Sequence, residues 1–178
     1  MNYLIKPFES IGDFVFGISL EEIQEKYGKP ARIVEDNIMN NKVEYRNACE
    51  LVYENDKLVY GYCLKDSNPI LGDVDIFKNS IEDLKAIDSD FIEGKKYILF
   101  KNLGVCIGGM TGKKIPEGKL LIAFDKNHLD FFENFAFYLQ REASAGDELS
   151  LVQHEVSWMQ SVKNFNNNIT FITNLLLF

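Results

Sequence analysis

Cysteine is scarce and dispersed in this chain: Cys49, Cys63 and Cys106 are the only three in 178 residues. An odd number, without a CxxC pair or a histidine beside them in sequence, argues against a disulfide framework and a clustered thiolate metal site. Buried free thiols are therefore expected. Positive charge is also short, with 19 Lys and Arg against 27 Asp and Glu and a formal net charge of −8. That deficit argues against sequence-independent nucleic-acid binding, which needs clustered cations to neutralise phosphates, and it permits a basic partner. No apolar run reaches the roughly 18 residues of a membrane-spanning helix. The opening residues Met1 to Pro7 lack the basic start and apolar core of a secretory signal. The expectation is a cytoplasmic protein with neither a membrane nor a nucleic-acid partner.

What is present reads as one soluble domain spanning residues 1–178, with 46% hydrophobic and 26% charged residues. Its most legible stretch is Phe16-Gly17-Ile18-Ser19-Leu20-Glu21-Glu22-Ile23, continued to Tyr27-Gly28-Lys29-Pro30. Ser19 is placed to cap a helix and Glu22 to close a capping box, while Ile18 and Ile23 suit a hydrophobic staple. Leu20, Ile23 and Tyr27 form the apolar stripe, and Gly28 and Pro30 end the helix. Strands are predicted over residues 31–35, 42–46, 49–54 and 57–64, with a tight turn at Glu54-Asn55-Asp56-Lys57.

Landmarks then recur at spacings near 60 residues. Phe77-Lys78-Asn79-Ser80-Ile81-Glu82-Asp83-Leu84 lays onto Phe16 to Ile23, with Ser80 as N-cap and Asp83 as a shorter box partner. Phe100-Lys101-Asn102-Leu103 resembles Tyr45-Arg46-Asn47-Ala48, and Gly118-Lys119-Leu120 resembles Asp56-Lys57-Leu58. Two repeats of a helix-then-strands unit are expected, at about 11–66 and 72–126, followed by a C-terminal extension over 127–178. In that extension, 148–162 suits a helix burying Leu149, Val152, Val156 and Met159. The apolar run 169–178 suits a buried strand, a docking segment or a self-association element.

Chemical motifs are weak. Gly108-Gly109-Met110-Thr111-Gly112-Lys113-Lys114 has one residue too few between its glycines for a phosphate loop, and Lys114 stands where Ser or Thr should be. Asp73 and Asp75 alternate as two carboxylates on one strand face would, without a third ligand nearby. His128 and His154 sit beside Asp130 and Glu155, but no nucleophile on a glycine elbow accompanies them. No catalytic, cofactor-binding or metal-ligating residue is assigned. On the strand 57–64, Leu58, Tyr60, Tyr62 and Leu64 alternate with Val59, Gly61 and Cys63. An exposed tyrosine face would join Tyr60 and Tyr62 to Tyr45 and Tyr53 as an aromatic patch for a protein partner; a buried one would be core.

The run Gly12-Asp13-Phe14-Val15-Phe16-Gly17-Ile18-Ser19, with the helix and Gly28-Lys29-Pro30 behind it, resembles the opening of small bacterial α/β repeats similar to beta-lactamase inhibitory proteins. Outer-membrane assembly lipoproteins of related shape begin similarly. The resemblance implies two tandem helix-plus-antiparallel-sheet repeats forming one curved sheet that grips a partner protein on its concave face, and cytoplasmic members invite an immunity-protein reading. The expectation is thus an α+β, non-catalytic protein-binding module, an immunity or inhibitor protein, whose partner is another protein such as a basic toxin or enzyme. The alternative is a small-ligand-binding protein or enzyme with a cavity between the two repeats.

Overall fold

The computed structural model describes residues 2–36, 41–46, 48–112 and 118–134. Strands β1 (Asn2–Lys6), β2 (Ser10–Ile11) and β3 (Phe14–Val15) precede helix α1 (Leu20–Tyr27), and β4 (Arg32–Asp36), β5 (Asn41–Arg46), β6 (Cys49–Glu54) and β7 (Lys57–Leu64) follow it. A hairpin, a helix and four strands then recur as β8 (Asn68–Leu71), β9 (Val74–Asp75), α2 (Ile81–Ile87), β10 (Phe91–Glu93), β11 (Tyr97–Phe100), β12 (Val105–Gly108) and β13 (Leu120–Phe124). A 3-10 turn, Lys126–His128, leads into helical residues 129–134. The expectations for 148–162 and 169–178 lie outside the described residues.

The α+β composition and the antiparallel sheet are as the sequence implies, but the single curved sheet is not. The described residues form two separate, open sheets. Eight antiparallel strands run in the order β10-β11-β12-β13-β7-β6-β5-β4, and the two halves meet where Gly61 lies opposite Ala123. The other five are ordered β3-β2-β1-β8-β9, with β1 parallel to β8. The stretches ahead of each helix therefore pair with one another instead of extending the large sheet. Their pattern explains this. Tyr3 and Ile5 are buried while Asn2, Leu4 and Lys6 are exposed, the alternation of a strand with one face on a core and one in water.

The small sheet, α1 and α2 together cover one face of the large sheet. Ile5, Ile11, Ile23, Leu71 and Leu84 share a cluster with Leu51, Leu58, Ile98, Val105 and Leu121. Gly61 sets how close the sheets come: a Cβ there would stand 3.1 Å from Ile11 Cγ2 and 3.2 Å from the Glu50 carbonyl oxygen. The opposite face carries Val43, Val52, Tyr60, Tyr62, Leu99, Ile122 and Phe124. Phe132 closes over it, stacked on Phe124 at 4.2 Å between centroids.

Both helix starts are capped as the sequence spells them, Ser19 with Glu22 and Ser80 with Asp83. Of the predicted α1 stripe, Ile23 is fully buried, and Leu20 and Tyr27 pack partly against the same cluster. The start of α1 is tied to the β6–β7 hairpin, because Gly17 N–H donates to Leu58 C=O at 2.7 Å and Leu58 N–H donates to Ile18 C=O at 2.9 Å. That hairpin turns on Asn55 and Asp56, whose φ values of 49° and 62° are both positive, as a two-residue type I′ turn requires.

Each helix end is tied to the large sheet by a charged side chain, of opposite sign in the two halves. At the end of α1, the Arg46 guanidinium donates to the Tyr27 carbonyl at 3.2 Å and to the Gly28 carbonyl, satisfying oxygens the helix leaves unpaired. Arg46 is held there by Glu44 at 2.7 Å, whose fully buried carboxylate also accepts from the Tyr53 hydroxyl. At the end of α2, the buried Asp88 carboxylate accepts from the backbone N–H groups of Asp90, Asn102 and Leu103 and from the Asn102 amide. Removing one partner of a buried pair strands the other's charge, at a cost of about 3–5 kcal/mol. Arg46→Met is expected to lower the unfolding free energy by about that amount, measured by urea titration, and Glu44→Gln in the same chain to restore part of it.

Candidate partner-binding surface

The four tyrosines singled out from the sequence do not form one exposed patch. Tyr53 is fully buried on the helix-covered face beside Leu58, whereas Tyr60 and Tyr62 are buried on the opposite face. Tyr45 is half-buried at the margin of that opposite cluster, with the Arg32 guanidinium 4.3 Å from its ring centroid. The cause is a break in register between Val52 and Tyr53. Val52 lies opposite Tyr60 and Tyr53 opposite Leu58, leaving Val59 as the extra residue of a bulge. Leu58 therefore joins the Gly61 and Cys63 face instead of the tyrosine face that strict alternation assigned to it. Burial, then the hydrogen bond to Glu44, pushes the Tyr53 phenol well above its usual range; burial does the same to Tyr62.

The candidate catalytic groups are engaged elsewhere. His128 does not meet Asp130. Its Nδ1 lies 2.6 Å from Asp125 Oδ1 and its Nε2 lies 3.2 Å from Glu54 Oε2. With a carboxylate on each ring nitrogen, the imidazole has no nitrogen left to accept a substrate proton. It works as a clamp that joins the turn after β13 to the end of β6. Burial alone would lower its pKa, but the hydrogen bonds it donates to the Asp125 and Glu54 carboxylates outweigh that and lift it to about 9. Asp75 is bound at 2.7 Å to Lys78, which holds its carboxyl below the usual range, while Asp73 lies in the turn between β8 and β9. After Gly108 ends β12, the Thr111 hydroxyl donates to the Lys95 carbonyl at 2.8 Å. His154 and residues 113–117 lie outside the described residues. Among the described residues no cluster of His, Cys, Asp or Glu fits a metal ion, and no helix is long and apolar enough to cross a membrane.

What the large sheet does expose is one edge. Among the described residues β4 is bonded to β5 alone, and Arg32, Ile33, Val34 and Glu35 are all exposed, with Ile33 and Val34 each at 38%. Because neighbouring side chains point to opposite faces, Ile33 and Val34 offer apolar surface on both sides of the strand. The opposite edge differs: β10 has only three residues, and its Glu93 is paired with Lys85 at 2.9 Å, a short and charge-blocked edge of the kind that resists further pairing. A groove of about 490 Å³ lies between α1 and β5, one strand in from the β4 edge, lined by Leu20, Glu21, Gln24, Glu25, Lys29, Lys42 and Asp56. Lys42 reaches Asp56 across it at 3.5 Å and lies opposite Glu35 of the edge strand. All of its lining comes from the first half of the chain, away from the junction between the halves. Sequence reasoning missed this edge. The available signal was Ile33-Val34 flanked by charges at both ends, in contrast to the uninterrupted apolar run of β7.

Comparison with protein-family models, with curated proteins and with solved structures found no match to this chain.

The clamp on His128 has a pH signature. Since its folded pKa lies above the ordinary 6.5, its stabilisation is complete below about pH 6.5 and is lost as pH rises through about 9. Between pH 6.5 and 9.5 the wild-type chain is expected to lose on the order of 2 kcal/mol more stability than His128→Gln. The check is urea unfolding across that range, and parallel pH profiles would remove the clamp from the account.

Proposed function

We propose that this chain is a non-catalytic, cytoplasmic protein-binding module whose partner adds a strand along β4 and sends side chains into the groove beside α1. The exposure of β4 on both faces carries this reading. An edge strand offers unpaired N–H and C=O groups, so an added strand gains main-chain hydrogen bonds and draws its specificity from the pockets next to them. Glu21 and Glu25, which remain on the helix side of the groove after Lys42 pairs with Asp56 and face only Lys29 there, favour with a chain charge of −8 a partner basic at the contact. The likeness of Phe16 to Pro30 to beta-lactamase inhibitory repeats supports an immunity or inhibitor role, in which the partner is a toxin or enzyme. The binding surface proposed is the sheet edge, since most of the aromatic residues first assigned to it are core.

The product of the reading frame next to this one, purified and titrated with the chain by calorimetry, is the test. Val34→Lys and Ile33→Lys place a charge on each face of the edge and are expected to weaken binding at least 10-fold. Their own stability should change by about 0.5 kcal/mol or less, because both sites are exposed. Undiminished binding by both variants would move the contact away from β4.

A further inference from the structure

The odd cysteine count conceals a pair. Cys49 opens β6 and lies directly opposite Cys63 of β7. Leu64 N–H donates to the Ala48 carbonyl at 3.2 Å, the hydrogen bond just outside that pair. A bond in that place makes Cys49 and Cys63 a non-hydrogen-bonded pair, the kind whose Cα atoms approach to about 4.5 Å with side chains on one face. That spacing falls inside the roughly 4.4–6.8 Å spanned by disulfides. Both thiols are fully buried in the same cluster, beneath Tyr3 of β1. The third, Cys106, belongs to the cluster on the opposite face of the sheet.

We infer that Cys49 and Cys63 form an oxidation site, a reduced dithiol that closes to a cross-strand disulfide by exchange with a low-molecular-weight disulfide such as oxidised glutathione. One cysteine, as thiolate, attacks a sulfur of the oxidant, forming a mixed disulfide and releasing one glutathione thiolate. The second cysteine, also deprotonated, attacks the protein-bound sulfur and displaces the other glutathione. The two protein thiols lose two protons and two electrons, and one oxidised glutathione becomes two reduced ones. Because both thiols are fully buried, the oxidant reaches them only when the small sheet lifts, and in the closed fold the hydrogen bond to Cys63, then burial, hold the Cys49 pKa above its usual range. The second step is intramolecular between facing residues and is favoured by their proximity. The disulfide closes the loop that contains Leu58, the residue to which the start of α1 is tied.

The test treats the full chain with oxidised glutathione, once folded and once during refolding from urea in the same buffer, where access does not limit the reaction. Quenched samples are alkylated under denaturing conditions and measured by intact and peptide mass spectrometry. Expected are the loss of two hydrogens, a Cys49–Cys63 linked peptide pair and alkylation at Cys106 alone. Cys106→Ser should behave identically, and Cys63→Ser should stop at a glutathione adduct or not react. Three alkylatable cysteines after refolding, a disulfide involving Cys106, or glutathione adducts persisting on both Cys49 and Cys63 would each overturn the assignment.

Discussion

The fold rests on one constraint, that the central strands of the large sheet have no face for water. β7 is buried at every position from Leu58 to Cys63, and β13 is buried from end to end. A sheet with one apolar face needs one cover; this one needs two. On one side the small sheet settles against Gly61 while Ile23 and Leu84 pin the helices beside it. On the other the chain turns back after Phe124 and lays Phe132 across Phe124 and Tyr60. Removing either layer would expose side chains that no polar alternation protects.

Much of the local structure was legible because its chemistry is local. Ser19 with Glu22, Ser80 with Asp83, and the Asn55-Asp56 turn each involve residues within three positions of one another, and β6 and β7 begin and end where their composition suggests. What was not legible depends on partners far apart in sequence. Nothing in Tyr3 or Ile5 names Pro69 or Leu71 as neighbours, so the second sheet could not be read from the chain. The aromatic patch dissolved for a subtler reason: one bulged residue, Val59, moves Leu58 across the sheet and leaves Tyr53 and Tyr60 on opposite sides. Period-two reasoning fails at a single inserted residue.

The buried and part-buried charged residues hold elements in place, and His128, which drew attention as possible chemistry, is one of them. Arg46 and Asp88 each receive a helix end, and His128 receives the return of the chain over the second face. Apart from Arg46 Nε, their polar atoms are turned toward backbone groups, an amide or opposite charges, the arrangement that makes burial of a charge tolerable. With these three groups engaged in the scaffold, what the described part of the large sheet leaves exposed at β4 is main chain. Among the described residues, β4 is the strand at which the sheet stops. Its two apolar residues are what a bound strand would cover.

The parallel pairing of β1 with β8 has a consequence for the growing chain. Asn2 and Asn68, which meet at the start of that pair, are 66 residues apart. At roughly 5–20 residues per second of synthesis, β1 leaves the ribosome about 3–13 s before β8 exists to join it. Through that interval Tyr3 and Ile5 have only β2, β3 and the nascent hairpins for shelter, while the strand that will stand at the centre of the small sheet is still its edge. The first half must therefore collapse around an incomplete layer, and the second half completes it by docking from the side.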